Sequence, residues 1–143
     1  MVVGLVALAV AALFAGAAIY INVSEQSARL TLADRALLMQ WKPAYKRGFA
    51  MQASLAVLGF LCGAAAWWQT GRPAFLAGAL VLLSNWPYTL FGIMPTNRAL
   101  MATDPASAGP ASRALVERWA LLHAVRTALG FAAALIFLWA LAP

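Results

Sequence analysis

Four long apolar runs, separated by shorter polar segments, dominate the pattern of the chain. They cover about residues 2–23, 48–69, 74–93 and 117–141. A helix that crosses the hydrocarbon core of a bilayer needs about 20 predominantly apolar residues, and each run meets that length. The pattern therefore predicts an all-α protein, a membrane-embedded four-helix bundle, in which residues 1–143 form a single transmembrane domain.

The polar segment between the first two runs has a pattern of its own. Residues 24–47 carry five basic and two acidic side chains, and residues 31–41 mix leucines with charges. That mixture is typical of an amphipathic helix lying in the membrane interface. Pro43 is expected to interrupt this interfacial segment, and Trp41 and Tyr45 are expected in the headgroup belt that aromatic side chains favour.

Proline and glycine positions refine the expected helices. Pro87, in the third run, removes one backbone donor, so we predict a kink there, with nearby side chains satisfying the freed carbonyl. Gly59 and Gly63 are spaced as GxxxG in the second run. We interpret this spacing as close helix packing inside the bundle rather than as a dimerisation signal, although it is also compatible with an oligomer.

The composition indicates an integral membrane protein. A soluble domain carries about 25% charged residues, whereas this chain carries 10% and is 64% hydrophobic. Its net charge of +6 does not indicate nucleic-acid binding, because the basic residues lie at the ends of the apolar runs and form no stripe. Membrane lipids are the expected partners. The lone cysteine, Cys62, disfavours a thiol oxidoreductase.

The basic residues also predict the orientation. The segment after the first run carries five Lys and Arg residues, and residues 98–118 carry three. Because the first and third connections of a four-span protein share a side, these eight (five plus three) oppose a single Arg72 on the other side. The positive-inside rule then predicts a multi-pass protein of the bacterial inner membrane with both termini outside the cytoplasm.

The intramembrane polar residues concentrate in one half of the predicted bundle. Trp119, His123 and Arg126 lie at i, i+4 and i+7 near the start of the last run, so one helical face presents all three. A charge inside a membrane helix costs at least about 2.5 kcal/mol on insertion scales, so Arg126 should face protein or water. The polar residues that the first three runs add to this half are Asn22, Glu25, Gln52, Asn85, Thr89 and Asn97.

Two interpretations of this concentration stay open. It predicts a polar pocket that opens toward the cytoplasmic leaflet, with Arg126 at its floor and Glu25 as the nearest acidic partner. The alternative is a polar plug, held by ion pairs, whose only function is to fix the register of the helices.

Seven short motifs follow one another along the chain, namely Ala12 to Asn22, Glu25-x-x-Ala28-Arg29, Trp41-x-Pro43-x-Tyr45, Met51-Gln52-Ala53, Pro87-Tyr88-Thr89, Met94-Pro95-Thr96-Asn97 and Trp119-x-x-Leu122-His123-x-x-Arg126. In these motifs, and over nearly its whole length, the sequence resembles the anthrone oxygenase-like family. This is a large set of small four-helix membrane proteins that are mostly uncharacterised in bacteria. Each motif alone is weak, whereas seven in the right order are specific.

The resemblance implies an activity. Characterised fungal members of this family oxidise anthrones to anthraquinones with molecular oxygen, without a metal or an organic cofactor, whereas most bacterial members have no known substrate. By resemblance, we expect a cofactor-independent oxygenase of a lipophilic aromatic substrate. The chain departs from the family at Gln26, because members commonly read Glu-His-Pro-Ala-Arg where this chain reads Glu25-Gln26-Ser27-Ala28-Arg29. Any role of that histidine in proton transfer or metal binding is absent here.

His123 is the candidate base for such a cofactor-free route, because histidine is the side chain that titrates near neutral pH. A base would convert a doubly benzylic, phenol-bearing substrate into a carbanion that reacts with oxygen directly. Arg126 and Asn97 are candidates to stabilise the developing oxyanion, and Glu25 to orient His123 or pair with Arg126. The expected substrate-binding residues are Trp119 and Tyr88, which would stack on a flat ring, and Gln52 and Asn22.

Other chemistries fit these residues less well. One histidine and one cysteine provide neither a His/Cys zinc site nor a two-histidine iron site, so no metal is expected. A haem with His123 as its only axial ligand stays open, without a second ligand or an attachment motif to support it. The alternative function is non-enzymatic. It is a membrane protein that binds lipid or a small molecule, or an accessory subunit, whose polar cluster is structural.

Overall fold

Four long helices make up the computed structural model, which describes residues 1–142. They are α1 (Val2–Leu30), α2 (Asp34–Thr70), α3 (Pro73–Ala102) and α4 (Pro110–Leu141), and all four are long and apolar enough to span a membrane. A short 3-10 turn, Pro105–Ser107, lies in the connection between α3 and α4. The predicted all-α bundle with four transmembrane helices is confirmed.

The helices pack as a square and so enclose a central space. α1 contacts α2 and α4, and α3 contacts the same two neighbours, whereas the diagonal pairs touch little. Large apolar side chains, among them Trp68, Phe91 and Trp139, are exposed on the outside of the bundle. An extensive exposed apolar surface of this kind faces lipid, as befits a multi-pass membrane protein.

α2 continues through Pro43 without a break over its 37 residues. The predicted interruption at Pro43 is therefore wrong, and residues 34–47 are the first turns of α2 rather than a separate interfacial helix. The reason is tertiary packing. Leu37, Leu38 and Trp41 are buried in a cluster with residues of α3 and α4, which offsets the backbone hydrogen bond that proline removes. Trp41 is fully buried, so its predicted place in the headgroup belt is also wrong.

Two π turns, each with one wider turn of backbone, lie in the same half of the bundle. α1 extends beyond its predicted end and contains the π turn Ile21–Glu25, in which the Gln26 N–H bonds to the Ile21 carbonyl. α3 contains the second, Thr89–Ile93. Single π turns inside α-helices are frequent at functional sites.

α3 is irregular near Pro87, as predicted. Its first part ends in a turn at Ser84. The Asn85 side chain donates from Nδ2 to the Leu82 carbonyl at 3.0 Å, and the Ser84 hydroxyl donates to the Val81 carbonyl at 2.6 Å. Side chains therefore supply hydrogen bonds in the disturbed segment, but these bonds go to Val81 and Leu82 rather than to Leu83, whose carbonyl lacks the donor that Pro87 removes.

The half of the bundle that holds the α2–α3 connection is packed with apolar side chains. Gly59 and Gly63 lie there, directly against Leu82 and Phe137, so the prediction that this GxxxG spacing serves packing inside the bundle is confirmed. Arg72 closes the same end, where its Nη1 donates to two carbonyls at the end of α4, at 2.8 and 2.9 Å.

The opposite end is closed by two basic side chains. Arg113, at the start of α4, contacts the Asp34 carboxylate and donates to two carbonyls in the turn between α1 and α2. Lys42 donates from Nζ to two carbonyls at the end of α3. These contacts fix the ends of all four helices around the polar half of the bundle.

Candidate functional site

A narrow cavity lies between all four helices, in the half of the bundle that carries the α1–α2 and α3–α4 connections. Its volume is about 20 Å³, which is room for about one water molecule. Its walls combine charged, amide and aromatic side chains. The charged, imidazole and amide side chains that line it are Glu25, Arg29, Gln52, Asn97, His123 and Arg126.

The π turn of α1 holds His123 from behind. The Asn22 amide in that turn donates from Nδ2 to the Ala120 carbonyl at 2.9 Å. A carbonyl only accepts hydrogen bonds, so the amide NH₂ must face Ala120, and Oδ1 must face the other way. That oxygen lies 2.7 Å from His123 Nδ1 and 2.8 Å from the Thr127 hydroxyl.

This network determines the tautomer of His123. Because Asn22 Oδ1 can only accept, Nδ1 of neutral His123 carries the hydrogen and donates it. The lone pair is then on Nε2, the ring nitrogen that does not contact Asn22. His123 is 3% exposed and lines the cavity, so it combines a fixed ring with an available basic nitrogen.

Stacked aromatic rings form one wall. The Trp119 ring lies 4.9 Å from the His123 ring, with the planes 30° apart, and meets Trp41 edge-on at 5.7 Å. Trp41 in turn stacks on Tyr45 at 4.9 Å and 3°. Tyr45 lines the cavity, so its predicted place in the headgroup belt is wrong. The cavity is therefore bordered by two aromatic rings, Trp119 and Tyr45, whose planes are nearly perpendicular to each other.

Glu25 pairs with Arg29 rather than with Arg126. Its Oε1 lies 2.5 Å from Arg29 Nη2 and accepts a hydrogen bond from Gln40 Nε2 at 3.1 Å. The predictions that Glu25 pairs with Arg126 or orients His123 are therefore wrong. The physical reason is that α1 continues to Leu30, which brings Arg29 one turn above Glu25 on the same helix.

The two arginines of the cavity are buried. Arg29 is 3% exposed and Arg126 is 6% exposed. The Arg29 guanidinium lies 5.7 Å from the centre of the Trp119 ring, and the Arg126 guanidinium lies 5.7 Å from the centre of the Phe14 ring. Contact with aromatic faces stabilises a cation in a dry environment, but it does not supply an opposite charge.

Several buried polar atoms in the cavity wall have no hydrogen-bond partner within residues 1–142. They are Arg29 Nε and Nη1, Arg126 Nε, Gln52 Nε2 and Asn97 Oδ1. Buried polar groups are ordinarily paired, because an unpaired one costs about 1–3 kcal/mol. Most of these atoms are N–H donors, so the wall is suited to a guest that accepts hydrogen bonds.

The structure places most predicted site residues in the cavity wall, but not all. Those that line it are His123, Arg126, Asn97, Glu25, Trp119 and Gln52. Asn22 lies behind His123 and positions it. Tyr88 lies outside the lining. Its hydroxyl donates to the Leu122 carbonyl at 2.9 Å, which links α3 to α4, so its contact with a substrate ring stays a prediction.

A wider groove runs along the outside of the bundle between α1 and α2, with a volume of about 590 Å³. It shares Ile21, Glu25, Ala44 and Gly48 with the cavity, so these residues separate the two spaces. Arg47 lies at the edge of the groove. A β-carbon at Gly48 would lie 3.7 Å from Ile21 Cδ1, so Gly48 leaves the Ile21 side chain without a close neighbour at that position.

The sequence prediction does not include Arg29 and Tyr45, although both carry a signal. Trp41, Tyr45, Gly48 and Gln52 are spaced at i, i+4, i+7 and i+11, which is one face of a single helix. The predicted break at Pro43 hides that face. Arg29 follows Glu25 by four residues, which is the spacing of an ion pair on a continuous helix.

This fold and this site define a class of protein. It is an all-α, multi-pass membrane protein with a polar cavity, partly lined by aromatic rings, between four helices. Comparison with known proteins narrows it. The family model of anthrone oxygenase matches residues 41–136, more than half of the chain. The chain therefore belongs to the anthrone oxygenase family.

The similarity extends to a curated relative. An anthrone oxygenase of Claviceps purpurea (strain 20.1) is 33% identical over 113 residues, which cover 70% of this chain and 64% of the relative. The match thus spans less than two thirds of that relative's own length. No solved structure matches the chain significantly.

Proposed function

We propose that this protein is an oxygenase that converts an anthrone-type lipophilic aromatic into the corresponding quinone, in the cavity and without a cofactor. Family membership supports the reaction class. The observation that carries the assignment is the fixed His123, whose Nδ1 is engaged by Asn22 so that Nε2 carries the lone pair, and which lines the same cavity as Arg126. Removing a proton from carbon requires such a base beside a cation that stabilises the resulting anion.

The first step is transfer of a proton from the CH₂ group between the two aryl rings to His123 Nε2. The electron pair of the C–H bond stays on the substrate, and its negative charge delocalises onto the oxygen of the ring carbonyl. Arg126 would stabilise that oxyanion, with Asn97 in the same wall. Asn22 Oδ1 accepts the Nδ1 hydrogen throughout, so the ring keeps its orientation while it is charged.

The carbanion then reduces molecular oxygen. One oxygen atom bonds to the carbon, and the proton on His123 passes to the other, which gives a hydroperoxide. His123 next removes the second hydrogen from the same carbon. The C–H electron pair becomes the carbonyl π bond as the O–O bond breaks, and the departing hydroxide takes the proton and leaves as water. The CH₂ group loses the four electrons that O₂ gains, so no further electron donor is required.

The substrate would enter from the membrane. A three-ring aromatic is much larger than a cavity of about 20 Å³, so binding requires the helices to part. The groove between α1 and α2 supports a lateral route, because it shares Ile21, Glu25, Ala44 and Gly48 with the cavity and Gly48 carries no side chain. In the predicted orientation this entrance lies in the cytoplasmic half of the bilayer.

The groove also favours a second candidate function, binding of a membrane lipid without catalysis. Its volume of about 590 Å³ and the position of Arg47 at its edge suit an acyl chain and an anionic headgroup. Native mass spectrometry of the detergent-purified protein, combined with its ultraviolet–visible spectrum, separates the two. A bound aromatic supports the oxygenase, whereas phospholipid alone with a featureless spectrum favours the lipid-binding protein.

The oxygenase is tested with protein in lipid vesicles, anthrone and ¹⁸O₂. Because anthrones oxidise slowly in air, the rate in vesicles without protein is subtracted, and Arg118→Gln, which changes an exposed arginine near the same end of the bundle, serves as the control variant. We expect one labelled oxygen in the new carbonyl and one O₂ consumed per anthrone. A wild-type rate equal to that of empty vesicles would contradict the proposal.

A further inference from the structure

The cavity carries an excess of buried positive charge. Two guanidinium groups line it, those of Arg29 and Arg126, and a single carboxylate, that of Glu25. The carboxylate is already engaged by Arg29 and by the Gln40 amide. No acidic side chain within residues 1–142 is paired with Arg126. A buried cation without an opposite charge is strongly disfavoured, so the site is electrostatically suited to an anion.

The donors of these groups strengthen the argument. Arg29 keeps Nε and Nη1 unpaired although one of its nitrogens holds Glu25, and Arg126 keeps Nε unpaired. Both side chains are more than nine-tenths buried and line the cavity. Gln52 adds a third unpaired donor, Nε2, from α2. Residues of three helices that line one small space therefore carry unpaired donors, beside the aromatic rings of Trp119 and Tyr45.

We propose that the cavity binds its aromatic ligand as an anion, a phenolate or enolate, and that Arg29 is the second cation that holds it, beside Arg126. The inference rests on the proposed function in that it names the ionised form of that substrate. It assigns Arg29 a binding role separate from the chemistry of His123. The aromatic wall excludes a small inorganic ion as the best ligand, and the charge excludes a neutral hydrocarbon.

The test uses a dye that reports its own ionisation. A hydroxyanthraquinone absorbs at longer wavelength as the phenolate, and its methyl ether has the same rings but cannot ionise. Both are titrated into the purified protein in a neutral detergent, at a pH about one unit below the phenol's own pKa, where the neutral form prevails. Neither dye needs oxygen or turnover, so binding is measured apart from catalysis. We expect the phenolate band to appear on binding, and the methyl ether to bind at least tenfold more weakly.

Variants distinguish an effect of charge on ligand binding from a loss of folding. Arg29→Gln is expected to weaken phenolate binding roughly ten- to a hundredfold, the usual effect of losing a charge-assisted hydrogen bond, and Arg29→Lys to restore part of it. Arg118→Gln, with the same change in charge on the exposed surface, should bind like the wild type. Glu25→Gln removes the only carboxylate that lines the cavity, so it should bind the phenolate more tightly, a gain that misfolding does not produce.

Three outcomes would overturn the proposal. If the phenol and its methyl ether bind equally without a phenolate band, the site does not select a charged ligand. The proposed oxygenase activity is then tested by the ¹⁸O₂ experiment alone. If Arg29→Gln binds the phenolate as the wild type does and Glu25→Gln gains nothing, Arg29 is structural. A wild-type protein that turns over anthrone but binds neither dye also contradicts the anion site while leaving the oxygenase in place.

Discussion

At the residue scale, the Asn22 amide determines which nitrogen of His123 is available. Its NH₂ group is committed to the Ala120 carbonyl, so its oxygen accepts from both His123 Nδ1 and the Thr127 hydroxyl. An amide held by a backbone group on the same helix as the histidine moves with that helix. The imidazole therefore keeps both its tautomer and its angle without a carboxylate behind it.

The first prediction concerns His123 itself. His123→Ala should lower turnover of anthrone by about a hundredfold or more, since general base catalysis contributes about 10²–10⁴ in rate. The fold should persist, because the apolar cluster of the other half of the bundle is untouched. Oxygen uptake and thermal melting of the same preparation check both parts. A variant that melts normally and turns over at the wild-type rate would exclude His123 as the base.

Asn22→Leu tests the positioning role. The imidazole would lose its hydrogen-bond acceptor and its fixed tautomer, so kcat should fall roughly ten- to a hundredfold while KM changes little, since misalignment acts on the chemical step. Thr127→Val is the matched control, because it removes the other partner of the same oxygen and leaves the imidazole bond intact. A rise in KM alone would instead make Asn22 a substrate contact.

The residue types of this site can be predicted from sequence better than their partners. Spacing alone puts Trp119, His123 and Arg126 on one face, and the structure has all three in the cavity wall. The bond between Asn22 and His123 joins residues 101 positions apart, and no local pattern reports such a contact. Glu25 is the opposite case, because it pairs with Arg29, four residues away on its own helix, rather than with the distant Arg126.

At the element scale, glycine positions let the helices approach closely. A β-carbon at Gly63 would lie 2.8 Å from atoms of the Phe137 ring and 2.9 Å from the Ala79 β-carbon, whereas one at Gly16 would meet nothing within 4 Å. The contacts of a β-carbon at Gly63 would force α2 away from α3 and α4, because a packed interior has little free volume.

We therefore expect Gly63→Ala to destabilise the protein by about 1–3 kcal/mol, the usual cost of overpacking. Gly16→Ala should be neutral or stabilising by up to about 1 kcal/mol, because alanine favours the helix over glycine. Reversible unfolding in mixed micelles measures both variants. Equal stability of the two would show that the helices of the free protein are farther apart than in this structure.

The hydropathy pattern predicts the helices themselves, and the predicted helix boundaries are wrong only at the polar ends. The apolar cores of all four runs are found where the sequence predicts them. α1 and α2 extend farther because contacts with the rest of the bundle, such as the burial of Leu37 and Trp41, stabilise turns that charge and proline disfavour locally. A hydropathy scale assigns one value to each residue type and therefore does not account for these tertiary contacts.

At the scale of the whole molecule, the distribution of charge predicts how the bundle sits in the membrane. Arg72 is the basic residue at one end, and the helix ends at the other end carry the remaining exposed basic side chains. Fusing alkaline phosphatase to the C-terminus should give an active enzyme, because the positive-inside rule places that end outside the cytoplasm. Insertion into residues 103–109 should give an inactive one. The reverse result would invert the predicted orientation.

The enclosed cavity is the feature of the whole molecule that sequence predicts least. The polar residues can be assigned to one half of the bundle by counting along each run, but whether four helices enclose a space or fill it depends on which side chains meet. Here the ion pair of Glu25 and Arg29 occupies part of that space, and a small cavity lined by Trp119 remains beside it. The polar half of the bundle therefore contains both an ion pair and a small cavity.

An α-helix advances by about 100° per residue, so one inserted residue changes the angular phase of everything that follows it. The π turn Ile21–Glu25 holds such an insertion. The wider turn takes up that residue, so deleting a single codon there would restore a regular α-helix and leave Arg29 close to its present position. The π turn thus lets α1 carry one additional residue beside His123 without changing the phase of the charged turns that follow it.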